Sequence, residues 1–574
     1  MSRLGLAAGK FFCDNRRRKN FCEEAISLTK TVISERFRSV FVASIASMAI
    51  SYVLISTDNI VAGQFIDDDA VAAMTLVSPI MTLVLFLSYM VADGLAMMFS
   101  YAKGRNDQLK ANELFGMGAI VTALTGLAVT VILIVGREEI LSMWNISPAL
   151  MTYADEYYRG LMFVALPCML NVYFYTIYVA EGEENICVKA SAAMFVVNVV
   201  LDIVLGRWIG VVGIGIATVV GNLVSFLFHL PYLFSENCRL KFVRYFDRRE
   251  LCQGIFYSWY HSMDTLCLAL LPIIFSEFVI FRFGESHLIV VSVINNMLTL
   301  LIAIYTGIVD CLQPMVCQYH AEGALHSVTK TMRLGINSTV AVTLVIIVLS
   351  FVFAEFLPGL FGVGRSEPLY AEAVHAVRIF MPFTVFLGVT LMLGNYYIYV
   401  ERLSLGAEVK LLLLLILPSA GMSAGFFGMQ MMWIGVGVSF IVALIVTRLL
   451  TRKEHDLLLI DAEKISRQFS LDIPPKFESR AEFLSAVEKF FARINFDDGR
   501  KIFLTDIAAQ VFDVYAAQSE KFQLEVSIIP AADKTTLIFR DNGTPRNCDD
   551  ITLENVREKN YMISGDENKL VVVA

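Results

Sequence analysis

The sequence predicts an all-α polytopic membrane protein, with twelve transmembrane helices in two six-helix lobes followed by a C-terminal cytoplasmic α/β domain built as an α+β sandwich. Three observations carry this reading. The 574 residues are 56% hydrophobic and only 17% charged, and the mean hydropathy is +0.63. Apolar runs long enough to cross a hydrocarbon core of roughly 30 Å recur from residue 39 to residue 450 and then stop. Two separate stretches also recur at one shared offset. "VADGLAMMFSYAKG" (91–104) resembles "IVDCLQPMVCQYHAEG" (308–323), and "YADEYYRGLMFVALP" (153–167) resembles "YAEAVHAVRIFMP" (370–382). Asp93 and Asp310 are 217 residues apart, as are Tyr153 and Tyr370.

Inside a bilayer every backbone group must be paired, so the apolar runs read as helices. In chain order they are 39–62, 71–99, 114–136, 160–180, 187–206, 209–233, 258–282, 288–313, 335–356, 378–400, 404–427 and 429–450. The division between 187–206 and 209–233 rests on the short "RWIG" connection; fusing these two spans would invert everything after them. Basic residues near span ends stay cytoplasmic. "RRRK" at 16–19, the Lys103–Lys110 loop, the 235–257 linker with Arg239, Lys241, Arg244, Arg248 and Arg249, and the exit at Arg448, Arg452 and Lys453 all fall on one side. "DDD" at 67–69 and Glu138, Glu139, Asp155 and Glu156 fall on the other. Both termini are therefore expected in the cytoplasm of a multi-pass protein of the plasma (inner) membrane. The expected domains are a basic leader (1–37), an N-terminal lobe (38–234), a basic linker (235–257), a C-terminal lobe (258–452) and a soluble domain (466–574). The repeats run parallel, as in transporters built from two similar bundles around a central path. Pro167 and Pro382 fall at matching places and predict matching kinks. The ten cysteines show no CxxC spacing and read as reduced thiols.

Polar residues inside such helices are costly. An ionised aspartate near mid-bilayer costs about 2.5–3.5 kcal/mol on insertion scales, so it generally faces a partner or a cavity. Asn198 and Asp202 interrupt the greasy run "AMFVVNVVLDIVLG" at i, i+4 and so share one helix face. Asp58 is a second intramembrane acid of the first half, and Thr218 adds a hydroxyl in the next span. Together they are an all-oxygen set suited to Na⁺, and the carboxylates equally suit protons; bonding helix to helix is the plainer alternative. Asp264 is a candidate second-lobe carboxylate. Asp93 and Asp310 read as capping or loop-anchoring groups near the cytoplasmic ends of their spans.

"STDNIVAGQFIDDDAVAAMTLVSPI" (56–80) and "NVVLDIVLGRWIGVVGIGIATVVGN" (198–222) resemble signatures of the multidrug and toxic compound extrusion (MATE) family, over roughly residues 38–452. The resemblance implies twelve spans in two lobes and export of a small-molecule substrate, organic and cationic or amphipathic, in exchange for H⁺ or Na⁺. It maps Asp58, Asn198, Asp202 and Thr218 onto the family's N-lobe cation site. It implies no enzyme activity, no required cofactor, and partners limited to the substrate and the lipid bilayer, with no nucleic acid. A lipid-linked glycan flippase of the wider superfamily and a membrane sensor with a cytoplasmic output domain are the other readings.

After residue 454 the spans end. "SRAEFLSAVEKFFARI" (479–494) has a helical apolar face, whereas "QLEVSI", "KTTLIFRD" and "KLVVVA" read as strands. This region resembles the ATP-binding fold of anti-sigma-factor serine kinases and histidine kinases. "DNGTPRN" (541–547) matches that family's Asp-x-Gly box through Asp541 and Gly543. The N-box would fall near Asp506 and Gln510, where Gln replaces the Mg²⁺-binding Asn, and the second Gly-rich box expected between Asp550 and Lys569 is absent. The resemblance therefore implies a degenerate domain, doubtful in ATP binding, that offers a surface to a cytoplasmic regulatory protein.

Overall fold

The structure is a computed structural model and describes the chain apart from residues 1–30, 67, 143–147, 237, 361–368, 455–456, 495, 519–521, 532–533, 545–552, 554–555 and 565–566. The basic run at 16–19, Asp67, the tail of "DNGTPRN" from 545 and most of the stretch from 550 to 555 thus lie outside the described residues.

The first lobe consists of α1 (Val32–Phe65), α2 (Asp68–Gly104), α3 (Gln108–Val135), the bent pair α4 (Pro148–Leu161) and α5 (Ala165–Glu181), α6 (Glu184–Ile209) and α7 (Val211–Leu233). The second consists of α8 (Arg248–His261) continued by α9 (Met263–Phe283), α10 (Leu288–Ala321), α11 (Leu325–Val352), the pair α12 (Tyr370–Phe380) and α13 (Thr384–Tyr399), α14 (Leu403–Leu411) running through a π segment into α15 (Leu417–Gly421), and α16 (Met429–Leu450). These make twelve rods, six to a lobe. Among the described residues ten helices are long and apolar enough to cross a membrane, and an eleventh span is the pair α4–α5, bent by 53°. The remaining rod, α1, has 34 residues.

The division at residues 206–209 holds. A single residue, Gly210, separates α6 from α7, and its φ of +67° suits glycine. The bend between α4 and α5 falls beside Pro167, in the first turn of α5; Pro382 lies in the short turn Met381–Phe383 between α12 and α13, where Tyr370–Tyr399 runs as one span. The expected placement of Asp93 and Asp310 needs correcting. Each lies eleven residues, about 16 Å at 1.5 Å per residue, inside the end of its helix, so neither caps a helix end. Seven described cysteines are free thiols.

The lobes meet on the side that carries the C-terminal domain. One apolar core runs from Ile33 and Phe37 of α1 through Leu114 and Tyr173 to Ile308, Met315 and Tyr319 of α10 and Tyr397 of α13, crossing from lobe to lobe. Toward the other side the second lobe has a core of its own, around Phe275, Val293, Phe380 and Trp433. At the crossing Gly104 of α2 lies against α10 so closely that a Cβ would stand 2.4 Å from the Gln318 carbonyl oxygen. Backbone thus meets backbone there.

The C-terminal domain is a five-stranded antiparallel sheet in the order β1-β2-β3-β5-β4: β1 (Phe469–Ile473), β2 (Leu524–Pro530), β3 (Thr535–Asp541), β4 (Glu558–Ser564) and β5 (Glu567–Val573). Two helices, α17 (Arg480–Arg493) and α18 (Asp498–Ala516), cover one face. The period-two pattern decides which residues face them. Leu524, Val526, Ile528, Leu537, Phe539, Leu570 and Val572 pack on Phe483, Val487 and Phe512, with the Phe483 and Phe512 rings stacked at 4.7 Å. The alternate residues, Glu525, Arg540 and Lys569, form a row across β2, β3 and β5 on the opposite face, in register Glu525↔Arg540↔Lys569.

Candidate functional site

The i, i+4 pair on α6 points into the first lobe. Ser191, Met194, Asn198, Asp202 and Gly206 are buried along one stripe. Val196, Val200 and Val204, offset by half a turn, are 58%, 52% and 38% exposed on the lipid side. Asn198 and Asp202 are 1% and 0% exposed. The glycines of α7 let the two helices close: a Cβ on Gly221 would stand 3.2 Å from the Cβ of Asn198. Asp58 enters from α1, which lies against α6, and is half-buried.

These residues meet. With the Asn198 amide oriented to satisfy its neighbours, Nδ2 donates to Asp202 Oδ2 at 2.7 Å and to Asp58 Oδ1 at 3.2 Å, and its oxygen accepts from the Thr218 N–H at 3.2 Å. Asp202 Oδ1 is buried without a hydrogen-bond donor. Thr218 takes part through its backbone; its hydroxyl instead donates to the Ile214 carbonyl at 3.2 Å. One amide therefore bridges two carboxylates in a lipid-shielded place. Like charges this close favour the uptake of a compensating positive charge.

A second polar cluster lies between the lobes. Asp93 Oδ2 of α2 is 3.1 Å from His261 Nδ1 at the end of α8, and His261 Nε2 is 3.1 Å from the Tyr399 hydroxyl of α13. Gln313 of α10 donates to the Asp93 carbonyl at 3.2 Å. Lys410 of α14 is 0% exposed. Its ammonium donates to the His261 carbonyl and lies 3.5 Å from Asp264 Oδ2. Asp264 is thus paired, apart from the Asp58–Asp202 site. Sequence reasoning missed His261, Tyr399 and Lys410; the only sign of them was a lysine opening the apolar run "KLLLLLILP" and a histidine in "YHSMD".

In the C-terminal domain Asp541 is 0% exposed. Its Oδ1 accepts from the Gly543 N–H and from Asn568 Nδ2, both at 2.9 Å. Asp506 and Gln510 bond each other at 2.7 Å on an exposed face of α18. Among the described residues no group of three or more His, Cys, Asp or Glu side chains could hold a metal ion.

Two six-rod lobes with buried carboxylates inside their helices are the build of a membrane transporter. The MatE family profile matches residues 43–204 and 262–417. The chain belongs to the MatE family of transporters. Over 321 residues it is 22% identical to the probable multidrug resistance protein YoeA of Bacillus subtilis (strain 168), covering 54% of this chain and 69% of that one. Among solved structures, a MATE in complex with MaL6 superposes with a TM-score of 0.68 at 18% identity, over 73% of this chain and 96% of the other. A MOP superfamily transporter from Pyrococcus furiosus, described as having a binding pocket of reversed polarity, gives 0.69 at 18% identity over 75% and 97%. An outward-facing multidrug resistance MATE family transporter gives 0.68 at 18% identity over 73% and 95%.

Proposed function

We propose that this chain is an antiporter that exports organic, cationic or amphipathic compounds across the plasma (inner) membrane in exchange for H⁺ or Na⁺, with both termini cytoplasmic. The observation that carries this is the Asp58–Asn198–Asp202 cluster, in which two carboxylates share one amide donor and one carboxylate oxygen has none. The amide hydrogens occupy the place between the carboxylates that a coupling cation would need. A half-turn of the Asn198 amide replaces them with its carbonyl oxygen, so the same residues serve a proton or a hard cation. The similarity to a multidrug resistance protein supports the substrate class. The basic loops support the orientation, because the end of α2, with Lys103 and Gly104, lies on the side of the C-terminal domain.

The test is transport by proteoliposomes under an imposed pH or Na⁺ gradient. Asp202→Asn is expected to abolish gradient-driven efflux while leaving insertion and yield unchanged. Efflux by that variant at the wild-type rate would remove Asp202 from the coupling.

A further inference from the structure

The outer face of the C-terminal sheet is an interaction surface, and its partner is the pair of lobe ends. Glu567 Oε2 accepts from Arg36 of α1 at 2.7 Å and from the Tyr319 hydroxyl of α10 at 3.1 Å, and so holds one lobe on each side. Lys569 does the same. Its ammonium donates to the carbonyls of Lys103 and Gly104 at the end of α2, at 3.2 and 3.5 Å, and to Glu322 at the end of α10, at 2.8 Å. Arg540, opposite Lys569 on the neighbouring strand β3, is 0% exposed. It pairs with Glu322, with Glu525 at 3.0 Å and with Glu567 at 3.3 Å, and its guanidinium lies over the Tyr319 ring at 4.7 Å. Farther out, Asn542 reaches Glu35 of the first lobe, and Asp472 pairs with Lys330 of the second.

We infer that the C-terminal domain is a clasp that ties the ends of the two lobes together, so that the lobes cannot part on the cytoplasmic side until its sheet leaves one of them. Alternating access is largely a rocking of one bundle against the other, and the contact of Gly104 with Gln318 shows those ends closed while the sheet is seated. When the sheet leaves the lobes, Glu567 and Lys569 lose Arg36 and Glu322, whereas Arg540 keeps Glu525 and Glu567 within the sheet, and the freed charges on both sides can hydrate. The inference rests on the transport reading and is independent of the coupling ion.

Two cross-links test it, in a background with Cys13, Cys22, Cys238, Cys252 and Cys548 changed to serine. Glu35→Cys with Asn542→Cys ties the domain to the first lobe; Lys330→Cys with Asp472→Cys ties it to the second. With a reductant-cleavable bis-thiosulfonate, either link alone is expected to leave efflux near that of the reduced protein. Both links together should lower it by about tenfold or more, because a population confined to one state cannot cycle, and reductant should restore it. Doubly linked protein that transports as fast as its reduced form would overturn the clasp. Reduced protein that does not transport at all would instead fail the function proposed above. Release is the converse test. Glu567→Gln with Lys569→Met should raise maleimide labelling from the cytoplasmic side of Cys311, which is buried and donates to the Phe37 carbonyl across the lobe boundary at 3.6 Å. Unchanged labelling, with the domain shown by hydrogen exchange to have left the lobes, would mean that the domain does not hold them closed.

Discussion

Single residues show where the sequence was informative and where it was silent. Asp58, Asn198, Asp202 and Thr218 were picked out as polar groups in apolar runs, and the fold brings all four together. Spacing could predict the shared face of Asn198 and Asp202, but not that Thr218 would contribute its N–H while its hydroxyl turned to Ile214. That depends on how closely α7 approaches. Lys410 illustrates the opposite case. It is a lone charge in an apolar stretch, but its partners come from α9 and from the end of α8, far away in sequence, so no local pattern names them. Lys410→Met should leave Asp264 without its ammonium and the His261 carbonyl without its donor. Breaking a buried pair costs about 3–5 kcal/mol, but Asp264 is 23% exposed and partly screened, so a loss of about 1–3 kcal/mol is expected. It would be read as a lower melting temperature in detergent. Adding Asp264→Asn should recover part of the loss; no recovery would mean that the two side chains do not interact.

Among the elements, the long spans and the bend beside Pro167 were legible because hydropathy and proline act locally. The α6–α7 hairpin was legible in part: "RWIG" marked its position, but only the structure shows that one residue, Gly210, makes the whole turn. Helix starts were harder to place. The seventh rod begins at Arg248, ten residues before the apolar run, and breaks at Ser262 where α8 gives way to α9. Polar and charged residues there read as linker, whereas they form the first turns of a helix. The glycines of α7 set how near α6 can come, which yields a prediction at this scale. Gly221→Leu would force α7 away from Asn198 and Met194, since even a Cβ there stands 3.2 Å from Asn198. Overpacking of this kind costs about 1–3 kcal/mol. The expected outcome is a protein that still inserts and folds but has lost gradient-driven efflux, because the Asn198 carbonyl no longer reaches the Thr218 N–H. Undiminished efflux would show that this approach does not position the site.

The chain as a whole is a transporter whose C-terminal domain has its helices on one face of the sheet and the membrane lobes on the other. The alternation of Glu525, Arg540 and Lys569 with apolar neighbours was visible as strand periodicity. Its meaning was not, because an outward charge row ordinarily faces water. Two carboxyls of that surface make the docking depend on pH in opposite directions. Burial alone would raise the Glu567 carboxyl, but Arg36 and Arg540 outweigh burial and hold it below its ordinary value. A carboxyl lowered in the docked state adds stability above the ordinary carboxylate range, near 4.3, and that stability is lost as pH falls through the lowered value. Glu525 is raised by burial, with Arg540 opposing. Its contribution is present in acid and is lost as pH rises through the raised value. Docking should therefore weaken as pH falls through the lowered Glu567 value and as pH rises through the raised Glu525 value. The measure is the melting temperature of the whole chain minus that of a chain ending at residue 454, followed against pH. Glu525→Gln is expected to flatten the limb on the high-pH side and leave the acid one. Glu567→Gln should lower the difference at neutral pH and remove the acid limb. If the two variants changed the same limb, the opposed roles assigned to these carboxyls would be wrong.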